Sequence, residues 1–204
     1  MEKRLKQEKV NKFNTILFFG PPGSGKGTQG KFLSSAGNHY HLSSGDIFRG
    51  LSPESDSGML VHKYANSGTL VPDEVTIEIW HRYVMGLIAT NKYFPKEQLL
   101  LLDGLPRTLR QAEILEEFIH IKKIIFLDVI EDNIVSRLQR RALIENRHDD
   151  KDANILSKRM KIYQNETIPI LNRFPTKLLC KIDASQRPLE VLRDILVSCS
   201  DVLS

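Results

Sequence analysis

Ile16-Leu17-Phe18-Phe19, followed by Gly20-Pro21-Pro22-Gly23-Ser24-Gly25-Lys26-Gly27-Thr28-Gln29, is the stretch whose reading decides the fold. A short apolar strand running straight into a glycine-rich turn is the form of a phosphate-binding loop. A triphosphate can be surrounded closely only where side chains are absent and backbone N–H groups point inward, which glycines at 23, 25 and 27 permit. Lys26 offers a point charge to the β- and γ-phosphates and Thr28 a hydroxyl to a magnesium ion, while a helix starting near Lys26 brings its positive end to the same place. The spacing Gly20-x4-Gly25-Lys26 fits the Walker A pattern, with Gly27 standing between the lysine and Thr28. A chance lysine in a glycine-rich turn would not require the strand before it and the helix after it.

The 204 residues suit one domain with insertions, and 41% hydrophobic content is enough for an ordinary core. A formal charge of +4, from 29 basic and 25 acidic residues, suits binding of a small polyanion. Nucleic acid is disfavoured, because the few aromatic residues do not interleave with the basic ones as a base-stacking surface requires. The two cysteines, Cys180 and Cys199, lack the paired spacing of a structural zinc site, so no zinc and a reduced, cytoplasmic setting are expected. Residues 1–12 alternate Lys, Arg, Glu and Gln and read as a charged, solvated arm; Glu2 and Glu8 argue against a transit segment. No segment is long and apolar enough to cross a bilayer, so no membrane association is expected.

Apolar runs predict strands at 14–19, 39–42, 98–103, 123–128 and 177–182, and helical periodicity fills the gaps at 26–35, 45–51, 57–67, 73–89, 108–119, 131–142, 149–173 and 188–200. Leu99-Leu100-Leu101-Leu102 and Ile124-Ile125-Phe126-Leu127 are continuous rather than alternating, as strands covered on both faces are. Pro72-Asp73-Glu74, Asp149-Asp150 and Pro188 mark helix starts, and Pro169 is expected to bend the long helix. The alternation predicts a doubly wound α/β fold with a central parallel sheet and the ligand outside the carboxyl ends of its strands. The stretch between the second and third strands far exceeds a normal crossover and must hold an insertion. The six histidines have no partners spaced for metal or nucleophilic work and read as surface or packing residues, His148 among them.

The insertion opens with Ser43-Ser44-Gly45-Asp46-Ile47-Phe48-Arg49 and contains Gly68-Thr69-Leu70-Val71-Pro72-Asp73; the third strand runs into Asp103-Gly104-Leu105-Pro106-Arg107-Thr108-Leu109-Arg110-Gln111. Asp103 ends an apolar strand in the Walker B manner, where a carboxylate holds magnesium-bound water, a task Asp46 could share. Arg49 and Arg107 carry guanidinium forks suited to clamp a monophosphate. Gln111 lies one helical turn past Arg107, and its amide offers a donor and an acceptor to a base edge. Together with the loop at 20–29, these ordered motifs resemble the nucleoside monophosphate kinases, most closely the adenylate kinase family, from about residue 15 to about residue 198.

The resemblance implies AMP contacts from Ser44, Arg49, Thr69, Val71, Gly104, Arg107 and Gln111. Relatives acting on UMP or CMP tend to carry Asn at the position of Gln111 and Ala at that of Ser44, so both residues favour AMP. Ser44 stands where Thr is usual and Leu105 where Phe is usual, which implies looser base selectivity. Arg137 and Arg141 share a helix face, and with Arg147 and Arg159 they match the lid and core arginines of the family; Arg140 is left over, and Asp149-Asp150 match its acidic pair. A basic helix face is ordinarily just solvated, and only the ordered spacing reverses that preference. The few residues between Arg141 and Arg147 give the short-lid form.

The expectation is therefore an α/β P-loop three-layer fold: a five-stranded parallel sheet, a monophosphate-binding helical insertion over about 43–72 and a short lid over about 140–149, forming with the rest of 13–204 one kinase domain. The implied activity is reversible phosphoryl transfer from Mg·ATP to AMP giving two ADP by a monomer. Lys26, Arg107, Arg137, Arg147 and Arg159 are the catalytic set. ATP is bound by Gly23, Ser24, Gly25, Lys26, Gly27, Thr28, Arg137, Arg141, Gln186 and Arg187, and AMP additionally by Arg147 and Arg159. Magnesium is the cofactor, held by Thr28 and, through water, by Asp103 and Asp46. The rivals are a kinase for CMP or UMP and a non-catalytic nucleotide-binding module.

Overall fold

The computed structural model describes residues 12–144, 150 and 152–203. The first eleven residues of the charged arm lie outside that range, as do Arg147, His148 and Asp149. Five strands, β1 (Phe13–Phe19), β2 (Tyr40–Ser43), β3 (Leu100–Asp103), β4 (Ile119–Asp128) and β5 (Leu179–Asp183), form one all-parallel sheet in the order β2-β3-β1-β4-β5. β1 and β3 are neighbours in a register that sets Phe18 beside Asp103. The loop that follows β1 and the carboxylate that ends β3 thus leave the sheet at the same edge.

Successive residues of a strand face opposite sides, so each apolar run feeds two cores. Leu17, Leu100, Leu102 and Ile124 pack on one face with Trp80, Val84 and Leu87 of α4 (Asp73–Ala89) and with Ala112 and Leu115 of α5 (Leu109–Leu115). Ile16, Phe18, Leu101 and Ile125 pack on the other with Leu33 of α1 (Lys26–Gly37) and with Val191 and Ile195 of α8 (Pro188–Ser198). Each fully buried side chain of this size stabilises the fold by about 1.5–3 kcal/mol. Gln29 of α1 donates from Nε2 to Pro188 O at 2.8 Å, tying the phosphate-loop helix to the last long helix.

The insertion between β2 and β3 is helical: α2 (Ser44–Arg49), α3 (Asp56–Ser67) and α4. Ser43 and Ser55 cap α2 and α3 by accepting from the N–H groups of Asp46 and Gly58. After β4 come α6 (Glu131–Ile144) and α7 (Ala153–Ile162), and the chain closes with α8 and α9 (Ser200–Leu203).

Several segments differ from the sequence reading, β3 among them, which starts at Leu100 rather than 98. β4 begins at Ile119, not 123, and α5 stops at Leu115: Phe13–Thr15 of β1 pair with Ile119–Ile121, and a bulge between Thr15 and Ile16 accommodates the extra residue Lys122. The polar residues His120, Lys122 and Lys123 interrupt the apolar run and hide the strand. The long helix foreseen over 149–173 starts at Ala153, because Asp152 supplies the cap, accepting from the N–H groups of Asn154 and Ile155. It ends at Ile162, passes through a π turn at Tyr163–Thr167 and a tighter 3-10 segment at Ile168–Arg173, where Pro169 has no N–H to continue the α ladder. β5 starts two residues later than expected, after a 3-10 turn at Thr176–Leu178. Among the described residues no helix is long and apolar enough to cross a membrane.

Candidate active site

The turn after β1 is held open by its backbone. Gly25, which precedes the first residue of α1, has φ of 99°, a left-handed conformation open to glycine and costly for a residue with a Cβ. No side chain caps α1, so the first N–H groups of the helix are left to a ligand rather than to the protein. Ser24 N–H donates to Pro21 O at 3.1 Å and closes the turn. Lys26 folds back across it, its ammonium donating to Gly20 O at 2.8 Å, Pro21 O at 3.0 Å and Ser24 Oγ at 3.4 Å.

Burial lowers the Lys26 ammonium to about 8; Asp103 opposes that shift, whereas the positive charges of Arg107, Arg141 and Arg159 reinforce it. These four groups come from three regions of the chain, and all five line a single cleft of about 1270 Å³. Its walls are the phosphate loop, the insertion from Gly45 to Val71, the segment Asp103–Arg107 with Gln111, the α6 arginines Arg137, Arg140 and Arg141, α7, and Ala184 with Gln186.

On the arginine side, Asp150 is the organising residue. Its carboxylate, whose side chain is wholly buried, accepts from Arg141 Nε at 2.6 Å and Nη2 at 2.8 Å and from Arg159 Nη1 at 2.8 Å. Burial disfavours its charged form, but the hydrogen bonds and charges of Arg141 and Arg159 outweigh this and hold the carboxyl below its ordinary value.

On the opposite wall, Arg107 donates from Nε to Gly104 O at 2.9 Å, and its own carbonyl accepts from Thr167 Oγ1 at 2.9 Å. Gln111 is almost fully buried; its Oε1 accepts from Arg107 N–H at 2.8 Å and its Nε2 donates to Asp73 Oδ1 at 2.9 Å. Arg49 and Asp46, one turn apart on α2, form an ion pair at the cleft wall. Thr69 and Val71 line the wall between α3 and α4.

Two expected contact residues are placed differently. Ser44 is fully buried, lies outside the cleft lining and sits behind Gly104, where a Cβ would come within 2.5 Å of its Oγ. Arg187, also absent from the lining, precedes α8, and its N–H donates to Glu190 Oε2 at 2.9 Å. Arg140, set aside on spacing alone, does line the cleft. Asp73 was read only as a helix start, although its carboxylate reaches Gln111; the pair is 38 residues apart, so nothing local announces it.

The oxygen donors suit magnesium. Thr28 stands in the first turn of α1, and the buried carboxylate of Asp103 approaches that turn so closely that a Cβ on Gly27 would lie 3.7 Å from its Oδ2. A hydroxyl and a carboxylate on adjoining elements are hard ligands of the kind magnesium takes, with water completing the shell.

A parallel sheet with a phosphate loop at its carboxyl edge, a helical insertion that sets Arg49 on the cleft wall and an arginine cluster across the cleft define a P-loop kinase of the nucleoside monophosphate class. A family model described as adenylate kinase matches residues 18–178. Adenylate kinases from Corynebacterium urealyticum (37% identical, 83% of this chain, 90% of that one), Synechococcus sp. (33%, 89% and 93%) and Cyanothece sp. (36%, 88% and 92%) are similar along nearly their whole lengths. The chain belongs to the adenylate kinase family, and it is a phosphotransferase with adenylate kinase function.

Proposed function

We propose that the cleft binds Mg·ATP on the phosphate loop and AMP between the insertion and Arg107, and that the γ-phosphoryl passes between them in line, without a covalent enzyme intermediate. The bond from γ-phosphorus to the bridging oxygen breaks as one from an AMP phosphate oxygen forms, so ADP leaves and a second ADP is made. The attacking phosphate is already anionic, and no base is required. Charge spreading over the equatorial oxygens is neutralised by Lys26, Arg107, Arg137, Arg147 and Arg159, in a site that excludes water when the lid and insertion close. Thr28 and, by way of water, Asp103 and Asp46 would hold magnesium, which would supply further neutralisation of the β- and γ-phosphates.

The observation that carries this reading is the charge gathered at one cleft: Lys26, Arg107, Arg141 and Arg159 meet there, and among the described residues Asp103 answers the lysine while Asp150 pairs with two of the arginines, which leaves positive charge in excess. A site with that surplus of fixed cations has been built for a ligand with several negative charges. We assign Arg49, Thr69, Val71, Gly104, Arg107 and Gln111 to AMP, the loop residues 23–28 with Arg137, Arg141 and Gln186 to ATP, and a cytoplasmic monomer to the whole. Initial rates with AMP, CMP and UMP at fixed ATP, with and without magnesium, test it. AMP should be strongly preferred and the rate should vanish without magnesium; a faster rate with CMP or UMP, or one indifferent to magnesium, would overturn it.

A further inference from the structure

We infer that Asp73 is a positioning residue for selection of the acceptor base, acting by fixing which end of the Gln111 amide faces which way. A glutamine amide can flip end for end, exchanging a donor for an acceptor, and on its own would read an adenine edge and a hypoxanthine edge equally well. Adenine offers an exocyclic N–H donor beside a ring nitrogen acceptor; hypoxanthine offers an exocyclic oxygen beside a ring N–H. The two edges are the same shape and opposite in polarity.

Gln111 lines the cleft and is 1% exposed, so its amide must be satisfied by fixed partners. Two partners hold it, and both specify one orientation. Asp73 Oδ1 can only accept, and takes Nε2–H at 2.9 Å; Arg107 N–H can only donate, and gives to Oε1 at 2.8 Å. Asp73 is itself anchored by Thr108, which donates to the same oxygen at 3.0 Å while its hydroxyl accepts from Gln111 N–H at 3.0 Å. The unflipped amide keeps one Nε2–H and one Oε1 lone pair for the base. A flipped amide would set Oε1 against the Asp73 carboxylate, oxygen to oxygen, and leave Arg107 N–H facing a second donor. The carboxylate therefore converts a two-way reader into a one-way reader. It discriminates against bases with a keto edge, and not against cytosine, whose exocyclic amine and ring acceptor run in the same order as those of adenine.

The inference rests on the assignment of Gln111 to the acceptor base, and the test separates the two. Initial rates with AMP and with IMP at saturating Mg·ATP give a ratio of kcat/KM on one preparation, so loss of folded protein cancels. In Asp73→Asn, whose Nδ2 can donate to a flipped Gln111 Oε1, the AMP:IMP ratio should fall about tenfold, through a raised KM for AMP with the KM for ATP unchanged. In Gln111→Ala the ratio should collapse, and adding Asp73→Asn to it should change the ratio no further. Thr108→Val, which keeps the bond from Gln111 to Asp73, should lower the melting temperature and leave the ratio near that of the unmodified protein. A wild-type ratio in Asp73→Asn alongside a collapsed one in Gln111→Ala overturns the role of Asp73 and leaves the site intact. An equal fall in Thr108→Val makes Asp73 merely structural. Unchanged AMP kinetics in Gln111→Ala overturns the site assignment and the inference with it.

Discussion

The phosphate loop and the arginine cluster across the cleft both present positive charge, yet they are stabilised in opposite ways. Lys26 is set by a continuous run of backbone: its ammonium rests on two loop carbonyls, and burial lowers it to about 8. Arg141 and Arg159 come from separate helices and are gathered by one buried carboxylate, Asp150, at 2.6 and 2.8 Å. One charge is held against its own preference by the shape of the loop. The others are held by an ion pair that the fold must assemble. A cation kept unfavourably is primed for an anionic ligand and costs stability, whereas a paired cation contributes stability and gives up part of its reach.

The largest effect expected is on turnover in Lys26→Met. Loss of the point charge over the transferred group should lower kcat about a thousandfold, measured as ADP formation in a coupled assay. Asp150→Ala comes next. It leaves two guanidinium groups without their shared partner and should destabilise the protein by about 3 kcal/mol, read from urea unfolding. The carboxyl of Asp150 titrates below its ordinary value in the folded state, so its contribution is present above that ordinary value and is lost as pH falls through the folded one. The gap between Asp150→Ala and the unmodified protein should accordingly close on acidification.

A third expectation separates the two regions by pH. Phosphate binding favours the charged form of Lys26, whose folded value is about 8 against an ordinary 10.5. ATP affinity should fall by up to about tenfold per pH unit above 8, as measured by calorimetric titration, whereas the contribution of Asp150, whose carboxyl is held below its ordinary value, is already complete there and should not change. The smallest effect is that of Ser44→Ala. The Ser44 hydroxyl is buried and makes no hydrogen bond among the described residues, so its removal should alter stability by no more than about 0.5 kcal/mol and the KM for AMP by less than about twofold.

The same contrast explains what could be read in the chain beforehand. The phosphate loop is contiguous: Gly23, Gly25 and Lys26 lie within four positions and their geometry is local, so strand, turn and helix were visible together. Asp103 was legible because it ends a continuous run of leucines. The arginines were legible in type and order, and Asp150 through its resemblance to an acidic pair, but their convergence depends on how α6 and α7 return over the sheet. The link from Asp73 to Gln111 was hidden altogether, because only the packing of α4 on α5 brings the two together. Within the fold, the first half of β4 escaped notice because its outward residues His120 and Lys122 are polar. The helix over 149–173 was extended too far at both ends: its apolar residues continue past Ile162, but its hydrogen-bond ladder does not.

Thermal melting of Lys26→Met and Asp150→Ala beside the unmodified protein at neutral pH tests the contrast most directly. Lys26→Met should melt at the same temperature or higher, because a buried ammonium held below its ordinary value is removed, and Asp150→Ala should melt clearly lower. Melting of both variants below the unmodified protein by similar amounts would contradict the account, since Lys26 would then be a stabilising charge of the same kind as the arginines.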